Sequence, residues 1–128
     1  MNPFMWDEAN TFGHAEIDAD HRALVRITEE LHDHIEDGTA EDGLGGLLAR
    51  LKSYSNFHFE TEENLMRQSR YPDYEEHRRE HERFVKTLAQ LSKRTTEIAD
   101  DLMVFLHMWV DQHTCNSDRR MMEHVKRL

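Results

Sequence analysis

Apolar residues along the chain recur at spacings of three and four, the period that puts one face of an α-helix against a core. One such seam runs Ile17, His21, Leu24, Thr28, Leu31, Ile35, with Asp18 as a plausible N-cap and Asp37-Gly38-Thr39 as its stop. A second helix is predicted from about Ala40 to Gln68. Its seam is Leu44, Leu47, Leu51, Tyr54, His58, Glu62, Leu65, and Gly43, Gly45 and Gly46 weaken its first turns. Tyr71-Pro72-Asp73 makes a break, with Asp73 capping a third helix of seam Tyr74, His77, His81, Phe84, Leu88, Leu91. After Ser92–Thr96 a fourth follows, with seam Ile98, Leu102, Phe105, Trp109, His113.

Four amphipathic helices with short connections predict an all-α, antiparallel, up-down-up-down four-helix bundle. It is expected as a single domain over 1–128: an N-terminal arm (1–16), the bundle (17–118) and a C-terminal tail (119–128). The tail is a short final helix or a frayed end. Trp6 and Phe12 are expected to anchor the arm on the bundle.

The seams are unusual in what they carry. Each holds at least one histidine: His21, His58, the pair His77 and His81, and His113. Glu62 stands four residues after His58, one helical turn on, so both lie on the inward face where a bundle normally places leucine. Taken singly, such a histidine reads as a satisfied core residue. Five imidazoles and a carboxylate together leave a core that cannot satisfy its own polar groups unless a metal does so.

Imidazole and carboxylate donors suit iron, zinc, copper or manganese. One zinc wants about four ligands and here there are more, whereas two ions sharing carboxylates can use all five histidines and two acids. The second acid should lie near His113, and Asp118 is the candidate. Five residues place it roughly 140° round a regular helix from His113, so the helix must end or widen between Thr114 and Asp118. Asp111 is the rival within reach, but it points to the opposite side. His32, His34, His107 and His124 fall off the pattern and read as surface or solvated, as do Glu60 and Glu63. His14, before the first helix, could cap it or approach the core but is expected at the surface.

Composition narrows the partners. The net charge is −10, which argues against nucleic acid and against an anionic membrane surface. No apolar run approaches the roughly 20 residues that span a bilayer. The first eight residues have no basic segment followed by an apolar one, and Cys115 is the sole cysteine. A cytoplasmic protein is expected. Cys115 reads as a buried or half-buried thiol, and Met66, Met103, Met108, Met121 and Met122 as packing residues. No Gly-rich phosphate loop, Gly-x-Ser-x-Gly or Cys-x-x-Cys is present.

These residues resemble the hemerythrin family, specifically its stand-alone bacterial members. The matching pieces are Ile17-Asp18-Ala19-Asp20-His21, the run from His58 to Met66, His77-x3-His81 and Trp109-x3-His113-x4-Asp118, with Trp6-Asp7 and Tyr71-Pro72 in the usual places. The resemblance implies a non-haem centre of two iron ions, oxo- or hydroxo-bridged, that binds dioxygen. It implies His77, His81 and His113 on one iron, His21 and His58 on the other with one position left open, and Glu62 and Asp118 bridging. Trp109 and Val110 would line the oxygen pocket. The chain departs from the pattern at His14 and Thr114, where isoleucine is common, and at Val110, where leucine is.

The expected function is reversible dioxygen binding for carriage, storage or delivery to an oxygenase, by a monomer without enzymatic activity. The only macromolecular partner expected is an oxygen-consuming enzyme. The alternatives are an oxygen- or redox-sensing module, and a di-iron peroxidase or nitric-oxide handling enzyme.

Overall fold

The structure, a computed structural model, describes residues 12–94 and 98–127, with backbone only at 40–42. The expected anchor Trp6 lies outside the described residues, as does Asp7. Five helices follow one another: α1 (Ala15–Glu36), α2 (Ala40–Ser69), α3 (Tyr74–Ser92), α4 (Ile98–Trp109) and α5 (Asp118–Lys126), with a π-helical segment, Val110–Ser117, joining α4 to α5 without a break. The last two helices and the π-helical segment together form the fourth rod of the bundle. Packing runs round a ring, α1 on α2 and α4, α3 on α2 and α4. No helix of the described residues is long and apolar enough to cross a membrane.

Two apolar clusters sit at different levels along this bundle. The larger joins Leu24, Ile27 and Leu31 of α1, Leu47, Leu51 and Phe59 of α2, Phe84, Leu88 and Leu91 of α3, and Leu102, Leu106 and Trp109 of α4. The smaller joins Phe12, Ile17, Met66, Tyr71, Met121 and Met122. On all four rods the histidines and acids of the seams fall between the two clusters. That is possible only because successive rods run in opposite directions. The result is a polar layer held between two apolar ones.

Local chemistry explains the ends of the helices, with two corrections. Asp18 is not the N-cap of α1: the cap is His14, whose Nδ1 accepts the Ile17 N–H at 3.3 Å. His14 is therefore not a free surface side chain. Asp18 lies inside the first turn, buried, and its carboxylate accepts the N–H groups of Phe12 (2.8 Å) and Gly13 (3.1 Å). It satisfies backbone donors upstream of the helix and pins Phe12 edge-on against the His21 ring, 5.4 Å between centroids. Asp73 does occupy the N-cap of α3 but makes no side-chain cap bond; its carbonyl accepts the His77 N–H at 3.0 Å.

Helix α4 also differs in detail. Leu106, outside the predicted seam, is fully buried, and Phe105 is only half-buried. Leu106 lies four residues after Leu102 and three before Trp109, so it shares their inward face. The expected tail is a true helix, α5, that buries Met121 and Met122.

The glycines at the start of α2 have different reasons. Gly43 packs under the ring of His34, where a Cβ would meet Nε2 at 2.5 Å, whereas Gly45 and Gly46 face open space. Alanine at Gly45 or Gly46 should therefore raise stability by about 0.5–1 kcal/mol through helix propensity. At Gly43 the gain should be cancelled, because the His34 ring must leave its 2.8 Å hydrogen bond with Thr39. Urea unfolding of the three variants, read by circular dichroism, checks the contrast.

Candidate metal centre

All seven residues singled out in the seams meet in the polar layer. His21, His58, Glu62, His77, His81, His113 and Asp118 are at most 2 % exposed. Asp118 reaches the layer because the backbone between it and His113 is π-helical. The Asp118 N–H donates to the His113 carbonyl, an i→i+5 bond that widens the turn and returns residue 118 to the face of residue 113. Its rival Asp111 is exposed.

The two carboxylates divide their oxygens between two sets of imidazoles. Glu62 Oε1 lies 2.9 Å from His81 Nε2, 3.2 Å from His77 Nε2 and 3.8 Å from His113 Nε2. Glu62 Oε2 lies 2.9 Å from His58 Nε2 and 3.8 Å from His21 Nε2. Asp118 repeats the division: Oδ1 is 2.9 Å from His77 Nε2 and 3.0 Å from His113 Nε2, while Oδ2 is 3.0 Å from His21 Nε2. Two donor groups result, Glu62–His77–His81–His113–Asp118 and His21–His58–Glu62–Asp118, each with its ligand atoms within 4.8 Å of one another. They share both acids.

Such an arrangement fits a pair of metal ions. His58 Nε2, His113 Nε2, Glu62 Oε2 and Asp118 Oδ1 are buried without an aligned hydrogen bond, a set of lone pairs converging on common points. Two cations would use them all.

Three further acids, which the sequence reading assigned to the surface or passed over, support the imidazoles from behind. Asp20 Oδ2 meets His58 Nδ1 at 2.9 Å, Glu63 Oε2 meets His81 Nδ1 at 3.0 Å, and Glu80 Oε1 meets His113 Nδ1 at 3.1 Å. Glu63 is thus only partly exposed and not part of a solvated face, in contrast to Glu60. Ser117 in turn donates to Glu80 at 2.8 Å. Each acid is the sequence neighbour of a site residue on its own helix and serves a histidine on the next rod. That adjacency is the signal that could have found them: one residue further round a helix is about 100°, enough to face the neighbouring rod. A carboxylate on Nδ1 fixes the proton there and leaves the Nε2 lone pair for the metal.

Aromatic rings hold the imidazoles flat. Phe59 stacks on His81 (4.0 Å, 5°), Trp109 on His113 (3.9 Å, 11°) and Tyr54 on His58 (5.1 Å, 17°). Val110, half-buried, packs against the larger apolar cluster beside them.

Without metal the layer is a charged network. Burial opposes the His58 cation, but the Glu62 carboxylate and hydrogen bonds to Asp20 and Glu62 override it and lift the imidazole to about 10. Burial likewise opposes the charge on His77, and bonds to Asp118 and Glu62 lift it to about 9. Burial favours a neutral Glu62, yet His58 and bonds from His113, His21 and His58 hold it well below the usual carboxylate range. Asp118 is also held low, against burial and against Glu62, by His113 and His21.

Comparison with known proteins gives one consistent answer. Residues 13–125 match the family described as the hemerythrin HHE cation-binding domain. A bacteriohemerythrin of Stenotrophomonas maltophilia is 28 % identical, over 98 % of this chain and 84 % of its own length. One from Methylococcus capsulatus is 28 % identical over 80 % of each chain, and a myohemerythrin of Riftia pachyptila is 25 % identical over 88 % of this chain and 85 % of its own.

Two predictions follow from this geometry. His77→Ala should lower the bound iron measured by elemental analysis, whereas His34→Ala, distant from the layer, should leave it unchanged; equal losses would refute the assignment. The metal-free protein should be most stable near about pH 5–6. The raised histidines stabilise it fully below about 6.5, and that share is lost as pH rises through 9 to 10. The depressed acids stabilise it above about 4, and their share is lost as pH falls. Thermal melts from pH 5 to 10 should show Tm falling on the alkaline side for the metal-free protein and not for the iron-loaded one.

Proposed function

The chain belongs to the hemerythrin family, whose domain holds a di-iron centre, and on that footing we propose that it binds dioxygen reversibly, for carriage, storage or delivery to an oxygen-consuming enzyme. The observation that carries the reading is the unequal sharing of donors. One group offers three imidazoles and two carboxylates, and the other two imidazoles and the same two carboxylates. A metal ion held by the second group would therefore have one protein ligand fewer, and an outside molecule could take that place. His77, His81 and His113 would hold one ion, His21 and His58 the other, with Glu62 and Asp118 joining them. The bacteriohemerythrin and myohemerythrin relatives support this reading by their names.

A ferrous pair, when bound, would supply two electrons that dioxygen could draw on and return. The protein's own task is to make the exchange reversible. Glu62 and Asp118 bring negative charge into a dry layer, so cations are held there and not lost to water. Asp20, Glu63 and Glu80 keep the Nδ1 proton on their histidines, leaving each Nε2 free to bind. Phe59, Trp109 and Phe84 form an apolar wall over the site, with ring centroids 4.7–5.7 Å apart. The wall keeps out water and protons that would otherwise drive irreversible oxidation. We read the protein as a cytoplasmic monomer and a binder, not an enzyme.

Oxygen cycling tests this. Iron-loaded protein is reduced without oxygen, oxygen is admitted and removed repeatedly, and the visible spectrum is followed. A ligand-to-metal band that comes and goes over several cycles is expected. Irreversible conversion in the first cycle would favour a sensor or an enzyme instead, and one zinc per chain would sink the di-iron reading.

A further inference from the structure

The wall over the metal layer is not wholly apolar. Tyr54 and Trp109 each bring a buried polar atom into it: the Trp109 indole N–H is directed at the Tyr54 oxygen, and the Tyr54 hydroxyl hydrogen is left without an aligned acceptor. A buried donor with no acceptor costs about 1–3 kcal/mol, so the phenol hydrogen beside this site calls for an acceptor.

The surroundings of Tyr54 narrow what that acceptor is. Its ring stacks on His58 and meets Phe59 at 6.3 Å and Phe84 at 6.4 Å, both in edge-on fashion. Neither phenylalanine ring offers an oxygen or nitrogen. The charges that act on the phenol are those of Glu62, Asp118 and Asp20, in that order. Asp20 is engaged by His58 Nδ1, and Glu62 and Asp118 are the two acids shared between the metal positions. Once metal is bound, the carboxylate lone pairs are in use. The phenol then stands next to the histidine of the donor-poor group, with Trp109 as its polar neighbour.

We propose that the Tyr54 hydroxyl, oriented by the Trp109 indole N–H that points at its oxygen, donates a hydrogen bond to the small ligand held at the metal centre. The ligand class is a small molecule or anion with an exposed acceptor atom. Such a donor favours ligands that gain negative charge on binding, and it sets affinity without supplying a ligand to the metal. Tyr54 is on this account a binding residue, and the inference rests on the di-iron reading above.

Azide is the probe. Diferric wild-type protein and Tyr54→Phe are titrated with azide by visible absorption, and the azide stretch is recorded by infrared in H2O and D2O. The substitution keeps the ring that stacks on His58 and removes only the hydroxyl, and iron content is measured on both proteins. Azide should bind the variant about ten-fold or more weakly, the strength of one hydrogen bond to a charged acceptor. Its stretching band should move, and the part of the wild-type D2O shift due to the phenol should vanish. Equal affinity and an unmoved band in a variant with full iron would overturn the proposal and leave the di-iron reading intact. A wild type that takes up no iron pair, or that binds no azide, would overturn both. Should Tyr54→Phe lose iron, Trp109→Phe is titrated in its place; an unchanged azide affinity and band there would equally count against the polar pair.

Discussion

Two carboxylates without water, Glu62 and Asp118, are the constraint on which this bundle depends. A buried acid is costly unless cations meet it closely. Here each carboxylate oxygen has at least one imidazole Nε2 within 3.0 Å. Protons can meet the charge in the metal-free state and metal ions in the loaded state. Folding and metal binding are therefore coupled, because both draw on the same lone pairs.

The surrounding layers follow from that centre. Five imidazoles must keep their lone pairs inward, so their outer nitrogens need acceptors, and Asp20, Glu63 and Glu80 supply three of them from the bundle surface. Stacked rings from Tyr54, Phe59 and Trp109 keep the imidazoles from rotating. The apolar clusters above and below then close the layer from water. Each acid in the outer set ties one rod to the next: α1 to α2, α2 to α3, α3 to the π-helical segment. The same contacts that orient ligands thus also hold the rods in register.

The π-helical segment has a cost and a use. Its wider turns pack less well than α-helical ones, and such segments are rare outside functional sites. It lets one rod present both His113 and Asp118 to the layer, which a regular helix could not do at a spacing of five.

Helix number, order and direction were legible in the chain because burial imposes its period directly on the residues, as in Leu24, Leu31, Phe84 and Leu102. Six of the seven residues of the layer were legible for the same reason: polar side chains stood in apolar seams, and chemistry left few ways to satisfy them. Asp118 stood off the seam and was reached as the second acid that a metal pair needs. Even the widening before Asp118 could be inferred from its spacing to His113. Residues that act across helices could not be read this way. Glu63 and Asp20 look like any exposed acid until α2 and α3, or α1 and α2, are set side by side. Asp18 resembles a cap until the preceding backbone folds onto it, and His14 resembles a surface residue until it takes that cap. Periodicity reports which face of a helix is inward, and only packing decides what the edge of that face touches.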